Sequence, residues 1–161
     1  MTEKIDTHSS DLRSVLTFRL ARLNNHLNAQ AISLLKKHSD LSLMQWRVIS
    51  TTHMLGETTM TRLGKWSQVD KGQLSRTTKN LIEKKYLQAA VSENDARQQN
   101  LSLSKKGQSA YQQLLPIMRQ RQESLVQGIP KQDLLIFNQV IDQLNANIQS
   151  MKQASQEEEQ T

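Results

Sequence analysis

The sequence predicts a mainly α-helical chain interrupted once by a short β-hairpin, in 161 residues that fit a single domain. Three observations carry that reading. Apolar residues recur at spacings of three and four through most of the chain. Two short helical segments meet across a turn of three to four residues. Beyond them the period changes to two β-compatible segments around a cluster of turn formers.

Met1 to Ser10 is polar, as fraying ends are. From Asp11 to about His38, Leu16, Phe18, Leu20, Leu23, Leu27, Ala31 and Leu35 mark one face of a helix that Ser9 or Ser10 would cap. It is longer than a compact monomer needs, so it is expected to reach a partner or span the molecule. Ser42 begins a second helix, rich in Leu43, Met44, Trp46, Val48 and Ile49, and Gly56 ends it. Thr58 or Thr59 opens a short helix with Met60, Leu63 and Trp66. Ser67-Gln68-Val69 forms a turn, and Asp70 is an N-cap with Gln73 placed for a capping box. The helix that follows runs to about Lys85. This pair has the shape of a helix-turn-helix. Tyr86–Ser92 and Gln99–Leu103, flanking a turn-rich stretch from Glu93 to Gln98, supply a hairpin wing.

Ser104 caps a long helix that Pro116 should bend or split. Gly128-Ile129-Pro130 ends it, and Pro130 suits the first turn of the last helix. Leu134, Leu135, Phe137, Val140, Ile141, Leu144 and Ile148 form that helix's apolar face, and the polar end from Gln153 is expected to be loose. The expected organisation is one domain, 1–161. A winged helix-turn-helix lobe spans about 42–104, and dimerisation helices span about 11–38 and 105–151.

The net charge of +6 is unevenly spread. Arg62 to Lys106 hold ten basic and four acidic residues, whereas Met1–Thr61 net +2 and Gly107–Thr161 net −2. A positive field concentrated in the middle suits a polyanion. The absence of Cys excludes disulfides, thiolate metal sites and thiol redox sensing. The four His lack close ligand spacing, so no metal or other cofactor is expected. No apolar run is long enough for a membrane span. The N-terminus lacks a basic and apolar leader pattern, which makes the cytoplasm the expected location. No nucleophile–base arrangement or phosphate loop is visible, so an enzyme is not expected.

On the helix after Asp70, Leu74, Thr78 and Leu81 fall on one side at about 100° per residue. Gln73, Arg76, Lys79 and Asn80 fall mainly on the other, with Lys71 and Gly72 in the first turn. Arg grips guanine bidentately, and Gln or Asn does the same for adenine. Lys79 and Ser75 suit phosphate. A capping role for Gln73 would compete with base reading, and Gly72 would permit close approach. Arg97 at the hairpin tip would enter a minor groove, with Asp95 tied to it or to turn amides.

From Leu43-Met44-Gln45-Trp46 to Lys105-Lys106-Gly107 the chain resembles the multiple-antibiotic-resistance regulator (MarR) family of transcription factors. The marks are Gln45-Trp46, Leu63-Gly64, Leu74-Ser75-Arg76 with Leu81, Asp95-x-Arg97, and Leu103-Ser104-x-x-Gly107. With the long helices, the resemblance covers about Asp11 to Met151. It implies a homodimer bound to a pseudo-palindromic operator, commonly a repressor released by a small-molecule effector. Arg19, Arg22, His26, Trp46, His53 and Trp66 are the candidate effector pocket, in which a cation beside aromatics would suit an aromatic carboxylate. Trp46 and Trp66 read more strongly as core rings, and His26 as a polar-face or interface residue. There are departures. Lys85 stands where the family usually has Gly, Gln88-Ala89-Ala90 lacks an arginine entering the wing, and Ala96 replaces a basic wing residue. They keep open a dimeric ligand- or protein-binding module without sequence-specific DNA binding.

Overall fold

The computed structural model describes residues 15–67, 69–91 and 99–158. The elements in order are α1 (Leu16–His38), α2 (Leu43–Leu55), β1 (Thr58–Thr59), α3 (Met60–Ser67) and α4 (Lys71–Glu83). They continue with β2 (Leu87–Val91), β3 (Gln99–Leu103), α5 (Lys105–Val126) and α6 (Lys131–Glu158). The chain divides into two compact units, one ending at Met118 and the other beginning at Arg119, so that the division falls inside α5.

The first unit is built around one apolar core. Leu35 of α1, Val48 and Ile49 of α2, Leu63 of α3, Leu74 and Leu81 of α4, Leu101 of β3 and Leu114 of α5 are all at most 2% exposed. Each such side chain contributes roughly 1.5–3 kcal/mol by leaving water. The helices therefore hold together through one shared interior rather than through local propensity.

Local chemistry sets the element ends. α1 opens at Leu16 after an extended Val15 that makes no side-chain cap, later than the expected start at Asp11. The proposed caps Ser9 and Ser10 lie outside the described residues. α2 begins with a full capping box: Ser42 Oγ accepts from the Gln45 N–H at 3.2 Å, and Gln45 Oε1 accepts from the Ser42 N–H at 2.8 Å. Thr58 and Thr59 form a strand before α3, pairing with Leu101 and Asn100. A two-residue strand leaves no alternation to detect in sequence. Thr59 Oγ1 still accepts from the Arg62 N–H at 3.3 Å and so caps α3. The sheet order is β1-β3-β2, all antiparallel, with Leu87 opposite Leu103 and Val91 opposite Gln99.

α5 passes through Pro116 without splitting. Proline deprives the carbonyl four residues earlier, that of Gln112, of its partner. Both residues are exposed, so water can satisfy that carbonyl. In the second unit, the Pro130 carbonyl accepts from the N–H groups of Asp133 and Leu134 at 3.1 and 3.2 Å, which places Pro130 just ahead of α6. α6 then runs to Glu158, past the expected loosening at Gln153. Met, Lys, Gln, Ala and Glu there are good helix formers, and Ser150 and Ser155 hydroxyls fold back onto the carbonyls of Ala146 and Met151. No described α6 side chain is buried.

Candidate nucleic-acid interface

α4 is fixed at both ends. At its start, Asp70 Oδ1 accepts from the Gln73 N–H at 2.9 Å. Only this half of the expected capping box forms, so the Gln73 side chain is exposed instead of folded onto the cap. A Cβ on Gly72 would sit 3.2 Å from Asp70 Oδ1, which gives that glycine a local reason: it keeps the cap unobstructed.

The far end is a Schellman closure, with the Lys85 N–H on the Ile82 carbonyl at 2.9 Å and the Tyr86 N–H on the Leu81 carbonyl at 2.8 Å. Lys85 takes φ 61°, the left-handed conformation that glycine adopts without penalty. The exit thus takes the left-handed turn without a glycine, and Lys85 bears a strain of about 1 kcal/mol.

Neighbours clamp this exit. Tyr86 is buried and its hydroxyl donates to Asp40 Oδ1 at 3.0 Å. Burial, then the hydrogen bond and negative charge of Asp40, push the Tyr86 phenol above its ordinary pKa of 10.0. Lys106 Nζ lies 4.2 Å from the centre of the Tyr86 ring and donates to the Lys84 carbonyl at 3.0 Å. Ser104 Oγ contacts the Lys85 carbonyl and accepts from the Gly107 N–H at 3.1 Å, so it caps α5 and grips the exit together. A Cβ on Gly107 would come within 2.0 Å of the Tyr86 carbonyl oxygen. The Leu103-Ser104-x-x-Gly107 pattern thus has a physical reading: a cap plus a place where two backbones touch.

Between these ends, Leu74, Thr78 and Leu81 are buried at 2%, 3% and 0% exposure, the side expected to be buried. Lys71, Gly72, Gln73, Ser75, Arg76 and Lys79 are exposed. Lys71, Arg76 and Lys79 make no hydrogen bond or ion pair with another described residue, so their charges face outward uncompensated. Asn80 differs from the expectation. It is half-buried, and its Oδ1 accepts from Gln45 Nε2 at 2.7 Å. One Gln45 amide therefore caps α2 with its oxygen and clasps α4 with its nitrogen. That reach from one helix to another left no mark in either segment's periodicity. Arg97 and Asp95 of the wing lie outside the described residues.

The six residues of the expected effector pocket separate. Trp46 is buried and stacks on Tyr111 with ring centres 5.7 Å apart. His53 stacks on the same Tyr111 ring at 3.8 Å, with its Nδ1 3.4 Å from Gln108 Oε1. The sequence reading missed Tyr111, which joins them. Trp66 is 60% exposed, not a core ring: α3 has one buried residue, and Leu63 occupies it. Arg19, Arg22 and His26 are exposed on α1, with no hydrogen bond or ring contact to that stack. Among the described residues there is no cluster of three or more His, Asp or Glu able to hold a metal ion, and no helix is long and apolar enough to cross a membrane.

Solved structures share this architecture. A MarR/EmrR family transcriptional regulator from Acinetobacter sp. ADP1 matches with a TM-score of 0.78 at 21% identity, over 83% of this chain and 94% of that one. FabT of Streptococcus pneumoniae, solved in complex with DNA, matches at 0.70 and 19% identity, over 84% and 96%. PcaV of Streptomyces coelicolor, solved with its natural ligand, matches at 0.72 and 14% identity, over 86% and 96%. No curated protein sequence matches the chain. These likenesses establish the fold: a winged helix-turn-helix. Residues 39–98 match the family model described as MarR family. That match spans much of the lobe, which is thus similar to the MarR family.

Proposed function

We propose that this chain is a homodimeric repressor that acts in the cytoplasm on a pseudo-palindromic operator and is released by a small-molecule effector. One observation carries the reading: the outward face of a helix capped at both ends, where Lys71, Arg76 and Lys79 stand exposed without a partner among the described residues. Arg76 in the major groove would read guanine bidentately, and Gln73, free of the cap, would read adenine. Lys71, Ser75 and Lys79 would hold phosphates and set register. Asn80, engaged by Gln45, supports the helix rather than the readout. Arg97, steadied by Asp95, would add a minor-groove contact.

Dimerisation is supported by α6, where Leu135, Phe137, Val140 and Ile148 are 46–56% exposed in the single chain. A large apolar surface left open on one chain calls for a partner. FabT's complex with DNA and PcaV's with its ligand support the two binding activities by likeness of fold. An effector releases the operator only if it favours the dimer state that binds DNA less well.

The test is selection from random duplexes by the full chain. Enrichment of an inverted repeat with half-sites about 10 base pairs apart is expected. Equal, weak retention of all duplexes would replace this reading with a binding module that lacks sequence-specific DNA recognition.

A further inference from the structure

We infer that Gln45 is a positioning residue for the reading face, and that its clasp on Asn80 fixes the roll of α4 about its own axis. On α2, the Gln45 amide is held before it meets α4. Its Oε1 accepts from the Ser42 N–H at 2.8 Å, and the Gln45 backbone N–H donates to Ser42 Oγ at 3.2 Å. With the oxygen taken up by the cap, only Nε2 is left for α4, and Asn80 meets it with Oδ1 at 2.7 Å. α2 itself is anchored by Val48 and Ile49, both at 0% exposure. The donor is therefore in place before the clasp forms, and closing it costs little side-chain freedom.

On α4, Asn80 stands on the stripe that would read bases, since Gln73, Arg76 and Asn80 follow at spacings of three and four. The buried side of the helix guides roll poorly. Leu74 and Leu81 pack by apolar contact, which has no direction. The buried Thr78 Oγ1 has no hydrogen-bond partner among the described residues. The contacts at the exit act on the carbonyls of Lys84, Lys85 and Tyr86, past the end of the helix. Among the described residues, the Gln45–Asn80 bond is the one hydrogen bond from an α4 side chain to another element. A roll of about 10° carries a side-chain tip, roughly 5–6 Å from the axis, through about 1 Å. A hydrogen bond tolerates only about 0.5 Å, so a loosened α4 loses discrimination at Arg76 before it loses the duplex. That consequence rests on the repressor reading above; the hold of Gln45 on α4 does not.

The experiment measures base preference as an affinity ratio, the selected duplex against one changed at the base pair that Arg76→Ala relaxes. Gln45→Glu keeps the cap with one oxygen, and Asn80 turned over donates to the other. Asn80→Asp still accepts from the Gln45 amide. Either single variant therefore keeps the ratio. The double variant sets two carboxylates face to face and loses the ratio by about tenfold. Each added carboxylate also weakens every duplex, which the ratio cancels. Asn80→Ala, which leaves cap and charge untouched, gives the same loss and serves if the double variant does not fold. A folded double variant or Asn80→Ala with the wild-type ratio overturns the proposal. So does a loss in Asn80→Asp alone, which would make Asn80 itself a reader, or in Gln45→Glu alone. Without DNA, the backbone amide resonances of α4 shift in the double variant and, beyond the substituted residue's neighbours, stay in place in both singles. Unmoved α4 resonances in the double variant overturn the hold of Gln45. Failure to select any duplex strikes the repressor reading, and the resonances still decide the positioning.

Discussion

The winged-helix lobe and α6 bury their apolar residues to opposite extents. In the lobe, Val48, Ile49, Leu63 and Leu81 are fully buried and the helix ends are locked by named hydrogen bonds. Along the 28 residues of α6, Leu135, Ile136, Phe137, Val140 and Met151 remain 46–69% exposed. The same periodic signal in sequence therefore has two destinations. In one it builds the interior of a single chain; in the other it leaves an apolar face exposed.

The comparison breaks most sharply at Gly107. Gly107→Ala puts a methyl against the Tyr86 carbonyl, and backbone cannot yield as a flexible side chain would. It should cost about 3 kcal/mol or more in denaturant unfolding. A loss below 1 kcal/mol, by that same scale, would mean that the α5–exit contact is loose. The paired change on α6, Val140→Asp with Ile148→Asp, should dissociate the proposed dimer in sedimentation while the lobe keeps its melting transition. A double variant that still sediments as a dimer would remove α6 from the interface.

Two smaller effects sharpen the picture within the lobe. Lys85→Gly should relieve the left-handed residue and raise stability by about 1 kcal/mol, visible as a higher Tm. A lower Tm would show that the strain is absent. Tyr86 supplies a pH signature. Its folded pKa lies above the unfolded value of 10.0, so its contribution is complete below pH 10.0 and declines as pH rises beyond that. Tyr86→Phe should therefore flatten the alkaline fall in stability, measured by unfolding across that range.

Periodicity and capping chemistry exposed most of the lobe in advance. Leu74, Thr78 and Leu81 were separable from Lys71, Arg76 and Lys79 because a helix maps spacing directly onto faces. Ser42, Asp70 and Ser104 announced their helices through side chains that accept backbone N–H groups. Contacts between distant segments left no such trace. The Gln45–Asn80 clasp, the Tyr86–Asp40 bond and the Trp46–Tyr111–His53 stack join residues far apart in the chain. β1 was hidden by its length, and Trp66 by the expectation that large rings go inside. The candidate reading face was thus legible because it belongs to one helix.

The most direct test of the reading face is fluorescence anisotropy of a selected duplex with the full chain and with Arg76→Ala at fixed salt. A loss of about 1–3 kcal/mol in the variant, with relaxed preference at one base pair of each half-site, is the predicted result. Unchanged affinity and unchanged base preference in Arg76→Ala would contradict it.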